Sequence, residues 1–285
     1  MKLMNFFAIK LQCVVEHACT VSTRRLLASL GLVLGVTAVL PAIAQAPVWQ
    51  GLDAVTALVG ANLQQGQVVK VDLPLVSEDG SSVALSIVAD QPLAQGVFIQ
   101  HLDIFAPANP TPEVASFEFG PEMSPLNLGL RIRLSESQTV VVVARTSDGR
   151  AFVSEKAIRI TTSGCIAGAA SPDKSQEMKE RVRLPKSFVA GKPAEVLTMI
   201  THPMQTGLVP DASGKMPEIR IIENFNATLG DQPVIKARFY RSLAANPYVR
   251  FTLVADETSE LTLTWSEDTG RQTQHKAKVM VSSAK

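Results

Sequence analysis

From residue 68 onward the sequence is a succession of short apolar or alternating runs, each soon stopped by Gly, Pro, Asn, Asp or Ser. The runs of the first series cover residues 68–73, 83–88, 98–105, 114–119, 128–134, 139–144 and 152–160. Alternation with a period of two puts apolar side chains on one face of an extended strand, and the intervening Glu78-Asp79-Gly80 and Ser147-Asp148-Gly149 are turn chemistry. Strands at this spacing over about 100 residues read as a β-sandwich. Residues 49–63 instead carry apolar residues at helical spacing, which predicts a short helix packed against one end of the sandwich.

A second series begins at Val182 and continues through 195–200, 219–225, 234–240, 248–255, 260–265 and 277–281. It reads as a second sandwich, so the fold class is all-β, with a 45–160 domain and a 182–285 domain. Between them, residues 161–181 are poor in large apolar side chains and form a linker. The 46% hydrophobic content is enough for two cores and excludes disorder as the main state. With 27 basic and 26 acidic residues, a nucleic-acid partner or a polybasic membrane contact is not expected, because both need clustered cations.

The first 44 residues differ in composition. Residues 26–44 carry no charge, are interrupted by Gly31, Gly35 and Pro41, and end in Ala42-Ile43-Ala44, a small-residue pattern suited to signal peptidase. Thr23-Arg24-Arg25-Leu26-Leu27 has the form of a twin-arginine export signal, an ordinary secretory signal being the alternative. Residues 1–44 are therefore expected to be a cleaved export signal, a retained membrane anchor being the alternative, which leaves a periplasmic protein with no membrane segment after cleavage. Removing Lys2, Lys10, Arg24, Arg25 and Glu16 shifts the net charge from +1 to −2.

Export also removes Cys13 and Cys19, so of three cysteines only Cys165 remains. A single cysteine closes no internal disulfide; in an oxidising compartment it is buried, paired with another chain, or chemically used. Its setting, Ser163-Gly164-Cys165-Ile166-Ala167-Gly168, surrounds it with small residues directly after a strand, with Gly164 and Gly168 giving backbone freedom. An exposed thiol on a flexible arm is expected. The nearest downstream cation is Lys174, so its pKa should stay near about 8.5, which suits a thiol modified by visiting enzymes better than a nucleophile of its own. His101, His202 and His275 are not spaced as metal ligands, and no Gly-rich phosphate loop is present, so neither a metal nor a cofactor is expected. Glu267-Asp268 before Gly270 reads as hairpin-turn chemistry.

Several longer runs carry a family resemblance. Val182-Arg183-Leu184-Pro185-Lys186, Ile200-Thr201-His202-Pro203-Met204-Gln205-Thr206-Gly207, Ile221-Ile222-Glu223-Asn224-Phe225 and Ala245-Asn246-Pro247-Tyr248-Val249-Arg250-Phe251 resemble SoxZ. Asn109-Pro110-Thr111-Pro112-Glu113, Arg131-Ile132-Arg133-Leu134 and the Cys165 segment resemble SoxY. The chain thus resembles a fusion of the two components of the periplasmic sulfur-carrier complex of thiosulfate oxidation. The resemblance implies two immunoglobulin-like sandwiches that pair with each other and a non-catalytic carrier. It further implies that Cys165 bears the sulfur intermediate and presents it to Sox-type partner enzymes.

In the family the thiol sits in a Gly-Gly-Cys-Gly-Gly arm at the C-terminus of SoxY. Here Ser163, Ile166 and Ala167 replace three of the expected small positions, and the β-branched Ile166 is stiff. The arm is also internal: from Ile160 it extends the thiol about five residues, roughly 17 Å, before turning back. These departures resemble a fused subfamily associated with periplasmic quinoprotein dehydrogenases and cytochromes, which gives a second expectation: a carrier or adaptor with a different cargo. A cysteine enzyme is a third, and would need His101 or His202 as its base.

Overall fold

Short strands of alternating polarity leave half of every strand's side chains to bury, and the computed structural model shows how the two halves do so together. It describes residues 46–162, 177–210 and 213–282. The chain divides into two units, Met1–Ala44 and Gln45–Lys285; the expected export signal lies outside the described residues.

The first half supplies β1 (Val69–Asp72), β2 (Val76–Asp79), β3 (Val83–Ala89), β4 (Ile99–Phe105), β5 (Glu113–Phe119), β6 (Asn127–Ile132), β7 (Gln138–Thr146) and β8 (Ala151–Thr162). The second supplies β9 (Glu180–Arg183), β10 (Phe188–Val189), β11 (Pro193–Ile200), β12 (Ile222–Leu229), β13 (Gln232–Phe239), β14 (Tyr248–Val254), β15 (Ser259–Glu267), β16 (Gln272–Val279) and β17 (Val281–Ser282). The protein is almost all-β, with one short α-helix, α1 (Asp53–Val59).

The sheets are not divided between the halves. A six-stranded sheet runs β1-β3-β6-β14-β11-β9 and a nine-stranded sheet runs β16-β15-β12-β13-β5-β4-β7-β8-β2. Each crosses from one half to the other by an antiparallel pair: β6 with β14, where Arg250 faces Gly129, and β5 with β13, where Ala237 faces Phe117. Two separate sandwiches were expected; two shared sheets are found. The physical reason is that β5, β6, β13 and β14 would otherwise each present a row of unpaired N–H and C=O groups, which pairing across the junction satisfies.

One apolar core lies between the sheets and includes Leu85, Leu128, Leu102 and Phe117 from the first half and Val196, Phe251, Phe225 and Trp265 from the second. Within it, Phe119, Phe117, Phe239, Phe225 and Trp265 form a continuous string across the junction, with successive centroids 5.5, 6.1, 6.3 and 5.3 Å apart. Offset and edge contacts of this kind add to the area each ring buries.

Besides β9, which begins inside the expected linker, and the unexpected β10, three elements depart from the sequence reading. Val55 and Val59 of α1 pack with Phe105, Val141, Val143 and Ala151 on the outer face of the nine-stranded sheet, not at an end. This explains the unbroken Val140-Val141-Val142-Val143 run, since both faces of β7 are covered there. β2 pairs in parallel with β8 although Glu78 and Asp79 read as a turn. β16 starts at Gln272, five residues before the expected strand, because an edge strand with polar side chains on both faces has no alternation to detect. The hairpin turn before β16 follows its chemistry: Gly270 has φ 87°, where a side chain would be strained.

Cutting the backbone within residues 163–176 is expected to leave the two halves associated, eluting as one particle and unfolding in one thermal transition. Size-exclusion chromatography and calorimetry of the nicked protein check this, and separated fragments would refute it.

Candidate functional site

The strand registers bring one end of every central strand to a common rim. On it lie the ends of β4, β6, β8, β11, β13 and β15 and the starts of β5, β9, β12, β14 and β16. The described chain stops at Thr162, paired with Asp79, and resumes at Glu177, directly before β9. Cys165, Gly164 and Gly168 fall between these points, outside the described residues. β8 runs to Thr162, two residues beyond the expected end, so the thiol is three residues from fixed backbone and not five.

The first-half side of the rim is tied to the second by Arg133. By strand alternation it should be exposed, like Arg131, but β6 ends at Ile132 and Arg133 turns inward to 1% exposure. Its Nη1 donates to the Met204 carbonyl at 2.8 Å and its Nη2 to the Pro203 carbonyl at 3.2 Å. The Arg133 N–H donates to Ser242 O at 2.7 Å, and Asn109 Nδ2 donates to both Arg133 O and Ser242 Oγ. Burial lowers the guanidinium pKa to about 10, so it remains charged at neutral pH while its bonds go to neutral carbonyls.

The carbonyls it holds belong to the loop after β11, where Met204 has φ 50°. The same loop places His202 in the interior. The Met204 N–H donates to His202 Nδ1 at 3.1 Å, so the ring proton sits on Nε2 and is donated to Glu267 Oε1 at 2.8 Å. Glu267 also accepts from the Thr269 hydroxyl. Glu267 therefore does more than the turn chemistry expected of it: its side chain is buried while Asp268 accepts from the Ile221 N–H at 3.2 Å. Arg220 joins this cluster, with Nε 4.0 Å from Glu267 and a two-point contact to Glu177 at 2.9 and 3.1 Å. Arg271 donates to the Glu177 carbonyl at 3.4 Å, and the Met178 N–H donates to Thr201 O at 2.8 Å. The point at which the described chain resumes is thus clamped by two arginines.

Burial pushes the His202 pKa down, outweighing the opposing effect of Glu267, so the imidazole is neutral. Burial alone would raise Glu267, but the hydrogen bonds from Thr269 and His202 and the nearby Arg220 charge hold it below the usual carboxylate value. With both ring nitrogens bonded and no exposed surface, His202 is a structural residue and does not fit the role of general base. His101 lies on the outer face of the nine-stranded sheet in a cleft of about 350 Å³ with Asp103, Glu118 and Arg145, and its pKa is lowered by burial and by Arg145. His275 is on the edge strand β16, 3.4 Å from Glu180. The three histidines occupy separate places, and among the described residues no group of three or more His, Cys, Asp or Glu is arranged to hold a metal ion.

Arg133→Ala would remove the tie and leave two buried carbonyls unpartnered, so a loss of about 3 kcal/mol is expected in denaturant unfolding. For His202, the folded pKa lies below the unfolded 6.5. Its contribution to stability is full above pH 6.5 and is lost as pH falls below it; Glu267 adds a second loss below its usual 4.5. Thermal midpoints measured against pH should therefore fall below about pH 6.5, and His202→Gln should remove the upper part of that fall and keep the lower.

The family models that match are those of sulfur oxidation protein SoxY, over residues 55–165, and sulphur oxidation protein SoxZ, over residues 182–278. No curated protein matches the chain. Among solved structures, the sulfur carrier protein SoxY from Chlorobium limicola f thiosulfatophilum is 28% identical, covering 38% of this chain and 94% of that one with a TM-score of 0.32. A superoxide reductase (neelaredoxin) from Ignicoccus hospitalis is 12% identical, covering 33% of this chain and 80% of that one with a TM-score of 0.29. The two family matches meet the two halves of the shared sheets in order, and the chain is a SoxY-like domain fused to a SoxZ-like domain in one polypeptide.

Proposed function

We propose that this chain is a periplasmic carrier of the Sox type, in which Cys165 holds a sulfur intermediate covalently and offers it to partner enzymes. The observation that carries this reading is where the SoxY match stops: at residue 165, the cysteine itself. A thiol at the end of a SoxY-like domain is where the family resemblance puts the carrier group. Each half, with its own strand set, is read as an immunoglobulin-like unit joined to the other edge to edge.

Chain length limits how the thiol is presented. Three residues beyond Thr162, the Cα of Cys165 lies within roughly 10–11 Å of the end of β8. The far end of the segment is fixed at Glu177 by Arg220 and Arg271. A partner therefore has to bring its active site to the rim, and one with a wide entrance is favoured because the thiol arrives on a loop with two attached ends. Loading the thiol with thiosulfate joins two sulfurs, RSH + S₂O₃²⁻ → RS–S–SO₃⁻ + H⁺ + 2e⁻, so the electrons leave through a partner's acceptor. Flexibility is assigned to Gly164 and Gly168.

A second reading is favoured by Ser163, Ile166 and Ala167 in place of the family's small residues: a carrier or adaptor serving a quinoprotein dehydrogenase and its cytochromes. Intact-mass measurement of protein purified without reductant separates the possibilities. Sulfur- or sulfonate-sized adducts that vanish in Cys165→Ser are expected. An unmodified thiol that resists alkylation would refute the carrier role, and a pathway indifferent to Cys165→Ser would favour an adaptor.

A further inference from the structure

The outer face of the six-stranded sheet carries more arginines than carboxylates. Strand register aligns its outward side chains into rows that cross the junction between the halves. One row contains Asp72, Ser86, Gly129, Arg250, Leu197 and Arg183. The next, nearer the rim, pairs Ala84 with Arg131 and continues through Tyr248, Met199 and Arg181. These two rows hold four arginines and one carboxylate.

The arginines differ in what they do. Arg250 lies across Gly129, where an added Cβ would come within 2.8 Å of its Nε, and it reaches Ser86 Oγ and Glu195 at 3.3 Å each. The Arg131 guanidinium sits 5.2 Å from the centroid of the Tyr248 ring. Between them is a cleft of about 370 Å³. Arg131, Arg181 and Arg183 are exposed and form no ion pair with another described residue. On the nine-stranded sheet four cations are paired, Arg145 with Asp103, Lys236 with Glu118, Arg238 with Glu223 and Lys276 with Glu260, while Lys156, Arg159 and Lys278 form no ion pair with another described residue.

We infer that the outer face of the six-stranded sheet is a docking surface for a protein that presents a carboxylate-rich patch. Three observations select this occupant. The unpaired arginines supply an excess of positive charge that a carboxylate surface complements. Half-buried Leu197, Met199 and Tyr248 lie among those arginines, the mixture that protein interfaces favour. Asp72 and Glu195 border the patch and confine the excess positive charge to its middle, which matches a compact carboxylate cluster better than a long phosphate backbone. Five strand spacings of about 4.8 Å by about 20 Å of strand give a face of roughly 500 Å². This is below the about 800 Å² per partner of a standard stable complex and fits a visitor that leaves again. The rows reach the rim, so such a visitor sits at the end of the body where β8 ends at Thr162. The face is independent of the carrier chemistry: its test reads binding, whereas the carrier reading is tested by the mass of the thiol.

The test uses the whole protein and a fluorescein-labelled poly-L-glutamate peptide, followed by fluorescence anisotropy at low salt and at about 0.15 M, where screening is strong. Wild type should bind at low salt and weaken as salt rises. The exposed pair Arg131→Gln/Arg183→Gln should weaken binding at least tenfold, and Lys276→Gln/Lys278→Gln on the other sheet less than twofold, at unchanged thermal midpoints. Arg183→Gln alone serves if the double variant fails to fold, with a smaller loss in the same direction. No binding by wild type, equal losses in the two variants, or equally tight, variant-sensitive binding of a single-stranded oligothymidylate of matched charge would each overturn the inference.

Discussion

Backbone pairing across the junction is the constraint on which the other features rest. β5 meets β13 and β6 meets β14, so neither half presents those strand edges to solvent, and the aromatic string from Phe119 to Trp265 has both of its supporting halves in place. Fusion in one chain adds to this pairing without creating it. The covalent link raises the local concentration of one half around the other, while the hydrogen-bonded ladders and common core fix their relative position. The protein is better understood as two shared sheets that happen to be written in sequence as two domains.

Arg133 shows how a junction of this kind uses charge. A buried guanidinium bonded to neutral carbonyls gains less than a buried ion pair in geometry of similar quality, and its desolvation is only partly offset. What it provides is a fixed loop. With Pro203 and Met204 held from the first half, His202 is presented to Glu267, and through Arg220 the same cluster reaches Glu177. The tie on one half is thus connected, through contacts of 2.8 to 4.0 Å, to the anchor at the end of the segment that bears the cysteine.

Much of this was legible from the residues. Alternation located β3 to β8 and β13 to β15 within a few residues, because each buries one face and exposes the other. It could not say which strands pair across the halves, since an edge strand awaiting a partner and a strand already paired carry the same pattern. It missed β2, which is short and held by a parallel partner far along the chain, and the two-residue β10, and it found only the end of β16, most of which has no apolar face. The polar clusters were invisible for a related reason. His202 and Glu267 lie 65 residues apart, and nothing local marks either as buried. Arg133 violates alternation only because the strand stops one residue earlier. Cys165, by contrast, was singled out by counting on the expectation that residues 1–44 are removed, and it lies outside the described residues.

The pairing of β6 with β14 also decides which chemistry faces outward. Arg250 lies opposite Gly129, and its neighbours Val249 and Phe251 point into the core opposite Leu130 and Leu128. A slip of one residue would carry an arginine into the interior and a phenylalanine to the surface, so it is forbidden by desolvation. The hydrophobic core therefore acts as a ruler for the exterior: by refusing every other register, it aligns side chains from the two halves into single rows across one continuous face.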